Sequence, residues 1–283
     1  MTTNRNPIAV FDSGLGGLTV VRQLMRRLPA ESIVYFGDTA RVPYGIKSAE
    51  TVTRFARENI EFLLEFEPKL IIAACNTASS AALPLLNGVY HVPLCGVVGP
   101  GARAAVAKTR TGLVGVIGTE ATIRSESYTR SIAELNPNIK VLHRACPLLV
   151  PLVEEGRTSQ DDVVRMVLEE YLRPLREAGV DTLVLGCTHY PMLRPGIRAV
   201  MGEGVQIVDS ARETARQAEE LLAASGELSA RQAEGRHRFF ASDHPERFAR
   251  LGKRFLGRPL GRVRLVQPEL VNGRLALRVA RDT

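Results

Sequence analysis

Short apolar runs alternate with stretches of helical periodicity along this chain. Ile8–Phe11 reads as a strand, and the turn Asp12-Ser13-Gly14-Leu15-Gly16-Gly17 leads into a helix with Leu18, Val21, Leu24 and Met25 on one face. Ser32–Phe36 is a second strand. Ala49–Phe66 carries Val52, Phe55, Ala56, Ile60, Leu63 and Leu64 at helical spacing and stops before Pro68, whose ring disfavours helix in the residue ahead of it. Leu70–Ala74 is a third strand, a small-residue helix runs from about Thr77 to Leu86, and Leu94–Val98 is a fourth strand.

The second half repeats that grammar. Leu113–Ile117 is a strand, Gly118-Thr119-Glu120-Ala121-Thr122 a turn and Ile123–Leu135 a helix. Beyond Lys140–His143 come a long helix over Ser159–Ala178 and the strand Thr182–Leu185; Ile207–Val208 closes the series, and Ala211–Ala224 is a further helix. Continuous apolar strands between amphipathic helices predict an α/β fold whose sheets are mostly parallel and flanked by helices. The halves are similar enough to predict two lobes, residues 1–97 plus 209–283 and residues 98–208, with the active site in the cleft between them. The tail, with Arg238–Ala241 as a strand and Pro245–Phe255 as a helix, is expected to return to the first lobe.

Composition narrows the class without naming a function. The chain has 283 residues, 45% hydrophobic and 24% charged, well inside the globular range. No stretch approaches the roughly 18 consecutive apolar residues of a membrane span. The N-terminal Met1-Thr2-Thr3-Asn4-Arg5-Asn6-Pro7 leads into a strand without a leader-like apolar segment, so a cytoplasmic protein with no membrane partner is expected. The net charge of +7 is local: Arg231 to Thr283 holds thirteen Lys/Arg against five Asp/Glu, leaving the body near neutral. With no zinc-finger spacing and no aromatic-plus-basic signature, the charge argues against nucleic acid as a main partner.

The four cysteines, Cys75, Cys95, Cys146 and Cys187, form no Cys-x-x-Cys pair and are expected to be free thiols. Cys95 and Cys146 fit the plain role of a small buried hydrophobe. The other two share a setting. In Leu70-Ile71-Ile72-Ala73-Ala74-Cys75-Asn76-Thr77 and in Leu183-Val184-Leu185-Gly186-Cys187-Thr188-His189, a buried strand runs into a cysteine and then into polar residues. The carboxyl ends of parallel strands are where such folds place ligand sites. Backbone N–H groups there favour a thiolate, which an ordinary thiol with a pKa near 8.5 supplies only sparingly at neutral pH. One such cysteine per lobe suits stereoinversion at an acidic C–H: one thiolate removes the proton and the opposite thiol delivers one to the other face. Asp12 and His189 stand where they could poise the two thiols. Ser13, Tyr44-Gly45, Asn76, Thr77 and Thr188 are short donors able to hold a small polar ligand. Two structural cysteines at strand ends remain an equal alternative on spacing alone. A zinc site would need further clustered ligands, and the cleft requires no metal.

Five segments in order, Phe11-Asp12-Ser13-Gly14-Leu15-Gly16-Gly17-Leu18-Thr19, Gly37-Asp38-Thr39, Val42-Pro43-Tyr44-Gly45, Ala74-Cys75-Asn76-Thr77-Ala78 and Leu185-Gly186-Cys187-Thr188-His189-Tyr190-Pro191, closely resemble the signature of the glutamate racemases within the aspartate/glutamate racemase family. The resemblance covers about Pro7 to Gly257. It implies interconversion of L- and D-glutamate for peptidoglycan with no cofactor, Cys75 and Cys187 as the acid/base pair and Asp12 and His189 as the groups that tune them. By the same resemblance Asp12, Ser13, Tyr44, Gly45, Asn76, Thr77, Thr188 and His189 contact the substrate, and Glu154 is a carboxylate near the site. Gly99 stands where many members carry an acidic residue, and Pro268–Thr283 runs past the part that matches.

Other readings remain. A racemase for aspartate would share the two-cysteine plan, an amino-acid-binding protein would keep the cleft and lose the chemistry, and a basic-tail interaction protein would depend on Arg231–Thr283. A pyridoxal-phosphate enzyme would need a pocket lysine, and none of the five lysines lies in such a motif. Gly14-Leu15-Gly16-Gly17 lacks the third glycine of a dinucleotide loop and the Gly-Lys-Ser/Thr of a phosphate loop, so it reads as a turn lining the pocket. The sequence does not fix the oligomeric state and leaves a homodimer open.

Overall fold

Strands that are apolar on both faces can be satisfied only between two layers of helices. The computed structural model describes residues 5–271 and 274–280; residues 1–4, 272–273 and 281–283, which hold the start of the N-terminal stretch and the end of the basic tail, lie outside the described residues. The first sheet begins with β1 (Ile8–Asp12), α1 (Leu18–Arg27), β2 (Ile33–Gly37), α2 (Ala49–Leu64) and β3 (Leu70–Ala73). It continues through α3 (Asn76–Ala81), α4 (Leu83–Leu86) and β4 (Leu94–Gly96). The chain then builds a second sheet from α5 (Val98–Lys108), β5 (Leu113–Gly118), α6 (Glu120–Arg124), α7 (Ser127–Leu135), β6 (Lys140–Ala145), α8 (Leu149–Glu154), α9 (Asp162–Glu177), β7 (Thr182–Gly186), α10 (Arg194–Met201) and β8 (Gln206–Asp209). It returns through α11 (Ser210–Ala224), β9 (His237–Ala241), α12 (Pro245–Leu256), β10 (Val263–Val271) and β11 (Arg274–Val279).

The larger sheet has the order β11-β10-β9-β2-β1-β3-β4, and the smaller one β6-β5-β7-β8. Every pairing is parallel except the β10–β11 hairpin at one edge. The basic tail therefore completes the first sheet, with β9 paired to β2. Alternation along β1 shows how the layers form. Ile8 and Val10 join a core with α1, α11 and α12 that continues into α8, α9 and α10 of the second half. Ala9 and Phe11 face the opposite way, into a core with α2 and the rings of Phe36, Phe62 and Phe240, which meet in tilted and edge-on contacts.

Several expected elements differ. The helix over Thr77–Leu86 is broken at Ala82 because Pro84, in the first turn of α4, lacks the N–H and would crowd the carbonyl four residues back. Ile123–Leu135 is likewise two helices, separated at Glu126, whose φ of 50° is left-handed. Val98 does not continue β4; it opens α5, whose Gly99-Pro100-Gly101 reads as a breaker but sits in the first turn, where Pro gives up no hydrogen bond. The helices α8 and α10 were also not anticipated, and Val263–Val279, whose fold the sequence left unclear beyond Pro268, is the edge hairpin.

A buried ion pair fastens the return crossover. Lys69 Nζ lies 2.7 Å from Glu31 Oε2, both side chains 3% exposed, and also donates to Glu227 O at 2.6 Å, while Ser229 N donates to Glu31 Oε1 at 2.7 Å. Lys69→Met should leave the Glu31 charge buried and uncompensated, destabilising the fold by about 3–5 kcal/mol in urea denaturation. A loss under about 1 kcal/mol would show that the pair does not carry the crossover.

Candidate functional site

The site is assembled at the carboxyl edges of both sheets. β1 ends at Asp12, β3 leads through Ala74 to Cys75, β5 leads to Thr119, and β7 leads to Cys187. Register makes these ends coincide: Phe11 pairs with Ala73 in one sheet and Gly118 with Gly186 in the other. Between the edges lies a cavity of about 390 Å³. Ser13, Tyr44, Gly45, Cys75, Asn76, Thr77, Glu154, Cys187, Thr188 and His189 all line it. Asp12, the remaining residue singled out from the sequence, is not in the wall but close behind it, where its charge bears on Cys75 and His189. Among the described residues no group of three or more His, Cys, Asp or Glu side chains is placed to hold a metal ion.

The Gly-rich turn is a packing device. A Cβ on Gly16 would stand 2.1 Å from Thr188 Oγ1 and 2.6 Å from His189 Nδ1, so only glycine lets the two halves approach this closely. Thr19 Oγ1, one turn further on, donates to Thr188 O at 3.1 Å. Tyr44 turns its hydroxyl inward to donate to the Asp38 carboxylate, and Asn59 Nδ2 donates to that hydroxyl at 3.2 Å. The Asp38 carboxylate is held in turn by Arg41, at 2.7 Å, and by the Ser242 hydroxyl, at 3.0 Å. With the Tyr44 side chain so committed, the Tyr44-Gly45 backbone is the part free to meet a ligand.

The two thiols have unlike surroundings. Cys75 Sγ lies 3.7 Å from Ser13 Oγ. Burial, reinforced by the Asp12 charge, pushes its pKa up to about 12 against the pull of the Ala78 N–H and the Ser13 hydroxyl. The expectation that the strand-end position would favour a thiolate therefore fails for Cys75 in the free protein, because burial outweighs the amide. Cys187 Sγ lies 3.9 Å from His189 Nδ1, and His189 Nε2 lies 2.9 Å from Glu154 Oε1. Burial alone would lower the His189 pKa, but the hydrogen bonds and charges of Cys187 and Glu154 prevail and raise it to about 10. Phe255, on α12, meets the same ring in a T-shaped contact, with centroids 5.3 Å apart. At neutral pH the site thus presents a protonated Cys75 and an imidazolium between a sulfur and a carboxylate. Burial also raises Asp12, whose Oδ1 has no partner although Oδ2 accepts from Gly14 N at 2.9 Å.

Cys95 and Cys146 are not in the cavity wall but in the apolar core, Cys146 close enough for the Cys187 charge to bear on it, and burial pushes each up to about 12. The sequence reading missed Thr119. It caps α6, lines the cavity and meets Thr77 Oγ1 across the cleft at 3.0 Å. Its place directly after β5 was the available signal, since that is the same position relative to its strand that Cys187 holds after β7.

The Asp/Glu/Hydantoin racemase family model matches residues 12–218. The glutamate racemase of Geobacter metallireducens is 53% identical over 262 residues, 93% of this chain and 97% of that protein. The crystal structure of glutamate racemase isoform RacE1 from Bacillus anthracis superposes with a TM-score of 0.89 at 42% identity, covering 93% of this chain and 98% of that one. The glutamate racemase of Francisella tularensis, crystallised in complex with D-glutamate, gives 0.87 at 37% identity, with the same coverage of both chains.

The Glu154–His189 contact carries a pH prediction. A histidine raised from 6.5 to about 10 stabilises the fold fully below 6.5, and that contribution is lost as pH rises through about 10. Glu154→Gln removes the carboxylate charge and leaves Cys187 alone to hold the imidazolium against burial. The His189 ring titration, followed by NMR of its Cε1–H, should then fall toward the ordinary imidazole value, and a midpoint still at about 10 would remove Glu154 from this role.

Proposed function

The chain belongs to the Asp/Glu/Hydantoin racemase family, and within it we propose a glutamate racemase that works by two-base proton transfer between Cys75 and Cys187. The observation that carries the mechanism is that both sulfurs reach one cavity, each from the strand end of a different sheet. The protonation state of the free protein sets the first direction. Cys75 holds its proton, so it enters as the acid, and Cys187 is the base that takes the proton from Cα. The electron pair left on Cα delocalises into the adjacent carboxylate, the carbon flattens, and Cys75 delivers its proton to the opposite face. The thiol and thiolate have then exchanged places and the product is the mirror image of the substrate. The reverse direction needs Cys75 as base. A substrate ammonium near the Asp12 carboxylate favours this by offsetting the negative charge that holds the Cys75 proton in place.

The remaining residues bind. Asn76, Thr77, Thr188 and the Tyr44-Gly45 backbone offer donors to the two carboxylates of glutamate, while Ser13 and Asp12 stand on the Cys75 side and Glu154 holds His189. These contacts draw charge from the α-carboxylate as the carbanion forms, which is where a preorganised polar site lowers the barrier. The chemistry is carried by side chains and calls on no cofactor. The lobes in this reading are residues 1–97 plus 209–283 and residues 98–208, closing on glutamate in the cytoplasm to supply D-glutamate for peptidoglycan. Among the described residues no helix is long and apolar enough to cross a membrane.

The test is incubation of the reduced protein with D-glutamate in D2O, following handedness by circular dichroism and Cα exchange by NMR. The wild type should racemise glutamate with deuterium entering Cα and no added cofactor. Cys75→Ala and Cys187→Ala should each lower net racemisation by a factor of about 10² to 10⁴ or more. Racemisation surviving in either variant would end the two-thiol mechanism, and preferential turnover of aspartate would replace the substrate.

A further inference from the structure

Asn76 opens α3, beyond a strand of the first sheet, and Tyr128 lies in a helix of the second half, yet Tyr128 Oη donates to Asn76 Oδ1 at 2.7 Å. Both side chains are buried. Asn76 lines the cavity, and its other terminal atom, Nδ2, is buried with no hydrogen-bond partner. A buried amide nitrogen left without an acceptor is costly unless a ligand supplies one. Tyr128 is not in the cavity wall, so any influence it has on a ligand passes through Asn76.

The slot that holds Tyr128 is built by glycines. A Cβ on Gly101 would come within 3.0 Å of Tyr128 Cε1 and 3.2 Å of its hydroxyl, and one on Gly186 within 3.3 Å of Cε2. Gly186 immediately precedes Cys187, and Gly101 lies in the first turn of α5. Beside this contact Ser127 Oγ donates to Ser80 Oγ at 2.7 Å, a second hydroxyl bond joining the same two helices. The tyrosine ring is thus fixed within the second half while its hydroxyl reaches across to the first.

We propose that Tyr128 is a positioning residue that sets the polarity of the Asn76 amide, holding Oδ1 away from the cavity so that Nδ2–H₂ faces it as the donor to a substrate carboxylate. The two faces of an asparagine amide have nearly the same shape and opposite chemistry, so the choice between them must come from a partner. A tyrosine hydroxyl whose proton is directed at Oδ1 supplies that choice. Without it the amide turns over freely, and the face with Oδ1 toward the cavity repels the carboxylate it should bind. Because the partner belongs to the other half of the molecule, the amide has its binding polarity only when α7 is docked on α3. This rests on the glutamate racemase reading above, in which Asn76 meets the substrate.

The experiment is a double-mutant cycle on D-glutamate racemisation with Tyr128→Phe, Asn76→Ala and the double variant. Tyr128→Phe keeps the ring in its slot and removes one oxygen. It should raise KM about tenfold with kcat changed less than about threefold, as expected for loss of about one hydrogen bond to a charged group. In the Asn76→Ala background the same substitution should change KM less than about twofold, because the group it acts through is gone. Multiplying KM effects would overturn the proposal, as would an equal loss in kcat with KM unchanged. Should Tyr128→Phe fail to fold, the side-chain ¹⁵N–¹H₂ signals of Asn76 in the wild type, assigned by their absence in Asn76→Ala, give the answer directly. They should shift on addition of D-glutamate, and signals that do not move would overturn the assignment. A wild type that does not turn over glutamate would instead remove the proposed function, which separates the two failures.

Discussion

A parallel sheet has a carboxyl edge at which every strand releases its chain into a loop, and this molecule sets two such edges against each other. Most of what makes the site follows from that constraint. Asp12, Cys75, Thr119 and Cys187 come from four strands in two sheets, yet register within each sheet brings the strand ends level. The apolar runs behind them leave no freedom to slip, since a shift by one residue would turn Ile8 and Val10 out of the core shared with α1 and α11. Precision at the cavity is thus a by-product of burial several residues away.

The same burial sets the electrostatics. Charges are disfavoured near the cavity, and each group answers with the partners the fold provides. Cys75 has the charge of Asp12 against it and retains its proton, while His189 has Cys187 and Glu154 on either side and stays charged. Gly16 allows the closeness on the His189 side, and Phe255 from the returning tail packs against that ring. The basic C-terminal stretch, on which a basic-tail interaction protein would depend, contributes β9 to the first sheet and a helix that supports the site.

The strands were legible because parallel pairing leaves unbroken apolar runs, and the two cysteine turns because a reactive side chain directly after such a run is a local pattern. What escaped was of two kinds. Local signals misled at the end of β4: Val98 continues the apolar run and reads as part of the strand but opens α5, whose first turn accepts Pro100 because the N–H it lacks has no intrahelical partner there anyway. Tertiary partners were invisible for a different reason. Nothing near Tyr128 in sequence indicates that its hydroxyl reaches Asn76, 52 positions away, and nothing around Gly101 or Gly186 indicates that they make room for its ring. The Cys75 pKa belongs with these. Its sequence position promised a helpful amide, and the Ala78 N–H is there, but the opposing burial depends on packing that no local pattern encodes.

On the proposed mechanism the site is chemically lopsided while its reaction is symmetric. L- and D-glutamate have equal free energies in water, so the equilibrium constant is one and kcat/KM must be the same for both directions, however different the thiols are. A carboxylate behind Cys75 and an imidazolium beside Cys187 cannot favour one direction overall. They can only redistribute it, so that an enantiomer bound more tightly by the resting protonation state is also turned over more slowly. Groups that act on the shared carbanion escape this restriction, because that species lies on the path in both directions. The α-carboxylate contacts are of this kind. Donors whose hold on that carboxylate tightens as the carbanion forms lower the barrier equally for either hand, and a racemase can therefore improve through such contacts without disturbing the balance between its two thiols.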